Sequence, residues 1–178
     1  GYGRVAHVYD FHTLRYVFAG AEKLKSETQT LWFDKFGLRI FEGYGTTETS
    51  PVIAVNTAMH FKTGTVGRFL PGTQHRLEAV EGIETGGRLW VKGPNVMLGY
   101  LLASSAGKRI PPPENWYDTG DIADIDGEGY VRLLGRAKRF AKVGGEMISL
   151  SFVEEAVSQL WPEHRHAVLT KAHPTKGE

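Results

Sequence analysis

The apolar positions of this chain follow two rhythms, and the change between them falls near Thr65. Before it, Leu14-Arg15-Tyr16-Val17-Phe18-Ala19 is a β-branched and aromatic run ending at Gly20, which predicts a buried strand that stops in a turn. Ser26 fits an N-cap, with Glu27 and Gln29 in the first turn, Gln29 at the capping-box position, and Leu31, Trp32 and Phe36 at helical spacing before Gly37. A second strand, Leu38-Arg39-Ile40-Phe41, runs into Gly43-Tyr44-Gly45. Strand, helix, strand in this order implies a parallel α/β sheet, whose ligands sit beyond the carboxyl ends of the strands. Gly20 and the stretch from Gly43 to Glu48 both fall there.

From Thr65 onward, short apolar runs are punctuated by Gly and Pro: Val66 to Leu70, His75 to Val80, Arg88 to Lys92 and Tyr130 to Leu134. That spacing predicts a small antiparallel barrel or sandwich. Ala103 to Asn115, with its serines, Gly107 and three prolines, reads as an exposed loop. A hairpin around Gly144-Gly145 precedes a helix over Ser151 to Leu160, with Ser151 as cap and Glu154 three positions on, and His166 to Thr170 reads as a last strand.

Composition narrows the chemistry by exclusion. Of 178 residues, 41% are hydrophobic, enough for one ordinary core and a small second unit. The 21 basic and 20 acidic residues are interspersed and leave a net charge of +1, which gives no footprint for nucleic acid or a polybasic membrane anchor. The absence of cysteine removes disulfides, thiolate zinc sites and a cysteine nucleophile, so any thiol in the reaction comes from a partner. No apolar run approaches the roughly 18 residues of a spanning helix, and the start lacks a signal-peptide apolar region, which reads as a cytoplasmic segment. There is no G-x-x-x-x-G-K-[ST] and no G-x-S-x-G, and the seven histidines form no spaced cluster.

Three strings remain: Gly43-Tyr44-Gly45-Thr46-Thr47-Glu48, Tyr117-Asp118-Thr119-Gly120-Asp121 and Gly135-Arg136-Ala137-Lys138-Arg139. Tyr44 sits between two glycines on a strand-to-loop turn, where the backbone passes close to a ligand and a flat ring can cover a purine face. The same string is also compatible with an ordinary turn and a solvated Glu48. Asp-Thr-Gly-Asp is turn-rich composition in its own right, and Lys138 alone reads as a surface lysine.

Together, and in this order, the three strings resemble the nucleotide-binding core of the adenylate-forming superfamily of acyl-CoA synthetases, luciferases and peptide-synthetase adenylation domains. The resemblance implies a fragment of that mixed α/β and β fold: part of the large domain's parallel sheet over residues 1–64, a small antiparallel β-barrel over 65–135, and a truncated α+β lid over 136–178. It implies an ATP-dependent ligase that adenylates a fatty acid and passes the acyl group to a phosphopantetheine thiol, of acyl carrier protein or of coenzyme A. The alternatives are a nucleotide-binding or scaffolding module without catalysis, and an oxygen-using luciferase relative.

Site roles follow from the same resemblance. Tyr44 stacks on adenine, Thr47 bonds the α-phosphate of ATP or AMP, and Glu48 holds Mg²⁺, an ion that a hard carboxylate and a hydroxyl suit. Gly20-Ala21-Glu22 lines the other side of the adenine, Glu42 replaces an amide side chain that often meets its amino group, and Gly43, Gly45 and Thr46 complete the cradle. Asp121 accepts the two ribose hydroxyls, for which an acceptor-only group is suited. Arg136 reaches ribose or phosphate, Lys138 is the hinge of the lid, and the loop from Lys142 to Glu146 is presented for thiol transfer, with Gly145 giving the pantetheine arm room. The phosphate-cradling loop and the lysine that bridges carboxylate and α-phosphate are expected before Gly1 and after Glu178.

The runs GRAKRFAKVGGEMISL, Gly64-Thr65-Val66-Gly67-Arg68 and Lys92-Gly93-Pro94-Asn95-Val96-Met97 look most like bacterial acyl-[acyl-carrier-protein] synthetases fused to a 2-acylglycerophosphoethanolamine acyltransferase. That second half carries His-x-x-x-x-Asp, and no histidine here has an aspartate five residues on. Such a half would leave open an association of the full-length protein with the inner face of the inner membrane.

Overall fold

The computed structural model describes residues 2–144 and 146–171. A short helix α1 (Tyr2–Val5) precedes strand β1 (Val17–Ala19), helix α2 (Ser26–Phe36) and strand β2 (Ile40–Gly45). β1 and β2 pair in parallel, with Ala19 opposite Glu42, so the strand-helix-strand reading holds. The cap does not. Lys25 is the N-cap, its carbonyl accepting from Thr28 and Gln29, and the Gln29 side chain reaches instead across to Glu42. Gly37 closes α2 in the left-handed conformation at φ 65°, as expected.

The sheet then turns antiparallel through β3 (Val52–Val55) and β4 (Arg68–Phe69), in the order β1-β2-β3-β4. A second four-stranded sheet has the order β10-β9-β6-β5, from β5 (Gln74–Glu78), β6 (Gly87–Lys92), β9 (Tyr117–Ile125) and β10 (Val131–Arg136), all antiparallel. The expected barrel is not closed among the described residues. Val66 and Gly67 exchange backbone hydrogen bonds of 2.9 and 2.8 Å with Val131, and Arg68 bridges to Tyr130, so β10 leans on the first sheet rather than curling round to β5. The core lies between the two sheets, where Tyr44, Ile53 and Ala54 of one meet Leu89, Val91, Ala123 and Val131 of the other.

The stretch expected to be a loop before Asn115 carries a small hairpin, β7 (Tyr100–Leu101) with β8 (Arg109–Ile110). Beyond β10 a single 3₁₀ turn, Ala137–Arg139, leads into hairpin β11 (Phe140–Val143) and β12 (Glu146–Ser149) and helix α3 (Leu150–Leu160). α3 begins one residue before the predicted start, and its cap is Ser149, whose Oγ accepts from Phe152 N at 3.3 Å. Glu154 is not free for a capping box because it binds Arg139 at 2.5 Å and the Val168 amide at 2.8 Å. Glu154 and Arg139 take the amide and carbonyl of Val168, in the middle of the predicted last strand, and residues 166–170 form no strand. This C-terminal unit touches the body through exposed ion pairs, Lys23–Glu155 and Lys142–Glu81, at 2.8 and 2.7 Å, and through Met147, which packs so closely on Gly82 that a Cβ there would stand 2.8 Å from its Cγ.

Candidate functional site

Two polar clusters span from the end of β2 to β9. In the first, Asp121 faces inward from β9 and Arg136 is its direct register partner on β10. Arg136 Nε lies 3.0 Å from Asp121 Oδ1, and its Nη1 donates to the Thr119 carbonyl at 3.1 Å. The Tyr44 hydroxyl donates to the other carboxylate oxygen, Oδ2, at 2.5 Å. Asp121 is 6% exposed and Tyr44 8%, so a carboxylate is buried here on two donors. Burial pushes the Asp121 carboxyl above its ordinary value, with Tyr44 and Arg136 pulling the other way. Burial, together with the neighbouring Asp121 charge, pushes the Tyr44 phenol far up, so it remains a donor. Thr119 fixes the strand locally, donating to the Leu89 carbonyl at 2.9 Å and accepting from the Asp121 amide at 3.2 Å.

The glycines around Tyr44 have reasons of their own. A Cβ on Gly45 would stand 1.7 Å from the Pro51 carbonyl oxygen, so the chain's own packing already demands glycine there. Gly20 backs onto Gly43, whose carbonyl oxygen would be 3.2 Å from a Cβ at position 20. The turn after it continues through Ala21, which takes a left-handed φ of 70°, a sparsely populated state for alanine. Ala21 and Glu22 are exposed. Glu42 accepts from Gln29 of α2 at 2.9 Å and from the amide of Leu24, before the helix, at 3.4 Å, and burial raises its pKa.

The second cluster centres on Glu48. Thr47–Thr49 is a single 3₁₀ turn opened by Thr46, whose amide donates to Thr49 Oγ1 at 2.9 Å. Thr47 is exposed at its start. The Tyr100 hydroxyl donates to Glu48 Oε1 at 2.8 Å and is the leading cause that holds this carboxyl below its ordinary range. The Tyr117 hydroxyl faces Thr46, Glu48 and Tyr100 from the start of β9. Among the described residues no group of three or more His, Cys, Asp or Glu is arranged around a metal position, so any cation here rests on one carboxylate and on ligands from elsewhere.

Asp121, Arg136 and Tyr44 are therefore brought together, and Thr46, Thr47 and Glu48 lie beside them along the chain. Lys138 is exposed on the 3₁₀ turn after β10. Lys142 is turned away to Glu81. Gly145 lies outside the described residues. The sequence reading overlooked Tyr100 as a partner of Glu48 and Asn95, which pins the Thr49 and Val52 carbonyls at 2.8 and 3.0 Å. Their contacts cross more than 40 positions of chain, and no local pattern signals them. A separate depression of about 290 Å³ lies elsewhere, lined by Tyr16, Phe18, Phe41, Thr57, Ala58 and Met59.

The chain belongs to the AMP-binding enzyme family, whose model matches residues 3–101. It is 34% identical over 175 residues to a long-chain-fatty-acid–CoA ligase of Yersinia pestis, covering 95% of this chain and 31% of that protein. It is also 34% identical over 144 residues to a probable 4-coumarate–CoA ligase of Dictyostelium discoideum, covering 77% and 26%. Among solved structures it is similar to ATP-bound MatB from Rhodopseudomonas palustris, with a TM-score of 0.67 and 32% identity over 81% of this chain and 30% of that one. The anthranilate CoA ligase AuaEII in complex with anthranoyl-AMP gives 0.72 and 25% over 94% and 33%. The chain thus spans between about a quarter and a third of the length of these proteins, and its fold is part of the adenylate-forming enzyme fold.

Proposed function

We propose that this chain is the nucleotide-binding segment of a longer AMP-forming ligase that activates a fatty acid. A carboxylate oxygen of the acid attacks the α-phosphorus of ATP, the bond to the bridging oxygen breaks, and pyrophosphate leaves an acyl-adenylate. A phosphopantetheine thiolate then attacks the acyl carbon, and AMP departs. The observation that carries this reading is the convergence of Tyr44 and Arg136 on the buried Asp121 carboxylate. A buried charge held on two donors keeps acceptor capacity for ribose hydroxyls, because a carboxylate offers about four lone-pair sites.

The chain's own residues contribute position and charge, which is where catalysis of this transfer lies. Asp121 orients the ribose, Arg136 reaches it or the phosphate, and Thr47 donates to the α-phosphate. The Tyr44 ring is assigned to the adenine face by the resemblance; here it is 8% exposed, with its hydroxyl turned to Asp121. Mg²⁺, when bound, supplies charge neutralisation on phosphate oxygens. An ionised Glu48 beside hydroxyl groups is a fitting donor set for an ion that takes one or two carboxylates and fills its shell with phosphate and water.

For the thiol, the long-chain-fatty-acid–CoA ligase named above supports coenzyme A. The run from Gly135 to Leu150 supports acyl carrier protein, by its likeness to carrier-protein synthetases. Fatty-acid-dependent exchange of labelled pyrophosphate into ATP by the longer protein tests the proposal. Exchange with a long-chain acid is expected, and its absence with every fatty acid tried would overturn the ligase reading in favour of a nucleotide-binding module.

A further inference from the structure

Glu48 is gripped twice by one short segment. The Met97 amide donates to its main-chain carbonyl at 2.7 Å, and three residues later the Tyr100 hydroxyl donates to its carboxylate at 2.8 Å. Just before, the Asn95 side-chain amide donates to the carbonyls of Thr49 and Val52 at 2.8 and 3.0 Å. Residues 95–100 therefore fix both the turn that carries Glu48 and the direction of its side chain. Tyr100 is itself held in register by the antiparallel pairing of β7 with β8, opposite Ile110.

A glutamate on an isolated 3₁₀ turn has several side-chain torsions to immobilise before it can serve as a ligand, and that lost rotamer freedom opposes binding. A phenol that donates to one carboxylate oxygen removes much of that freedom in advance and leaves lone pairs for a cation. Partners of metal-bound carboxylates act in this way. Besides Glu48 the Tyr100 hydroxyl faces only that of Tyr117, which itself faces Glu48, and Tyr100 is 46% exposed rather than packed in the core. Its bond to Glu48 is thus poorly explained as a fold-stabilising contact.

We propose that Tyr100 is a positioning residue: its hydroxyl holds the Glu48 carboxylate in the orientation in which it receives the nucleotide's divalent cation. The proposal rests on the assignment of Glu48 as cation ligand. The experiment is Tyr100→Phe in the longer protein, with Glu48→Gln as companion. Mn²⁺ binding in the presence of a non-hydrolysable ATP analogue is followed by electron paramagnetic resonance, beside the Mg²⁺ dependence of ATP–pyrophosphate exchange.

Tyr100→Phe is expected to weaken Mn²⁺ binding by roughly 10- to 100-fold. The Mg²⁺ concentration for half-maximal exchange rises by a similar factor, while kcat at saturating Mg²⁺ and the KM for fatty acid stay at wild-type values. Wild-type Mn²⁺ affinity, or a fall in kcat that saturating Mg²⁺ does not restore, overturns the positioning role. If Glu48→Gln weakens Mn²⁺ binding and Tyr100→Phe does not, only this proposal fails. If neither does, the assignment of Glu48 fails first.

Discussion

The Tyr44 hydroxyl donates to the Asp121 carboxylate at 2.5 Å across 77 positions of chain, tying the end of β2 to the middle of β9. Tyr44→Phe keeps the ring and removes only this bond, leaving a buried carboxylate on Arg136 alone. Loss of a hydrogen bond to a charged group costs about 1.5 to 3 kcal/mol. The loss has a pH signature. The Asp121 pKa is raised above 3.8 in the folded chain, so its favourable contribution is present in acid and is lost as pH rises through the folded value. Removing a donor raises that pKa further. The variant's deficit in thermal stability is therefore smallest below pH 3.8 and grows toward neutrality, and a pH-independent deficit would argue against a charged Asp121.

Asp121→Ala in the longer protein removes the acceptor assigned to the ribose. The expected loss is again about 1.5 to 3 kcal/mol, read as a 10- to 100-fold rise in the KM for ATP in pyrophosphate exchange. Unchanged ATP affinity would contradict the ribose role and leave the Tyr44–Asp121–Arg136 cluster as a structural one.

Arg76 lies between two indoles, with its guanidinium carbon 5.0 Å from the Trp90 ring and 4.8 Å from the Trp116 ring. Trp116 immediately precedes β9, so this exposed clasp fastens the start of the strand that carries Tyr117 and Asp121. Arg76→Ala is expected to cost about 1 kcal/mol, since exposed cation–π contacts contribute 0.5 to 1 kcal/mol each. Urea unfolding with tryptophan fluorescence checks both the stability and the altered environment of the two indoles.

Asp126 sits where the β9–β10 turn closes. It pairs with Lys62 at 2.6 Å and accepts from the Tyr130 and Glu128 amides, each at 2.9 Å, and these donors, Lys62 foremost, pull its pKa to about 2. A lowered carboxylate stabilises the fold above its ordinary value of 3.8 and ceases to do so as pH falls through about 2. Asp126→Asn keeps the acceptor oxygen and removes the titration. Its melting temperature should thus fall less steeply than the wild type's across that acid window, while equal slopes would show that other carboxylates dominate acid unfolding.

What was legible in the sequence is what short-range chemistry controls. α2, its Gly37 stop and the parallel β1–β2 pair follow from apolar spacing and one left-handed glycine. The nine-residue β9 does not, because Asp-Thr-Gly-Asp carries turn residues and Gly120 adopts φ 70°. The strand persists because its polar side chains find partners outside a turn: Asp118 binds Arg88 at 2.9 Å and Thr119 binds the Leu89 carbonyl. Both helix caps shifted for the same kind of reason, since Gln29 and Glu154 are taken by Glu42 and Arg139. Within the site, Asp121 and Arg136 are singled out by their motifs, but their pairing comes from the β9–β10 register, which the motifs do not show. The Tyr44–Asp121 and Tyr100–Glu48 bonds are tertiary, at separations of 77 and 52 residues, and leave no trace in local pattern.

Lys138 is the middle residue of the 3₁₀ turn between body and C-terminal unit, and its side chain is exposed. The ion pairs that hold the unit in this orientation, Lys23–Glu155 and Lys142–Glu81, are exposed and each contribute at most about 1 kcal/mol. On the proposal that this unit is a lid that reorients between half-reactions, Lys138 is its hinge. Proline suits the φ of a 3₁₀ turn but fixes it near −65°, at a modest cost in helical conformation for Ala137 before it. Lys138→Pro is therefore expected to keep fatty-acid-dependent ATP–pyrophosphate exchange within a few-fold of wild type while thioester formation falls by orders of magnitude. The two half-reactions are separated by measuring exchange without thiol and acyl transfer from preformed acyl-adenylate. Equal loss of both would show that position 138 supports folding rather than rotation.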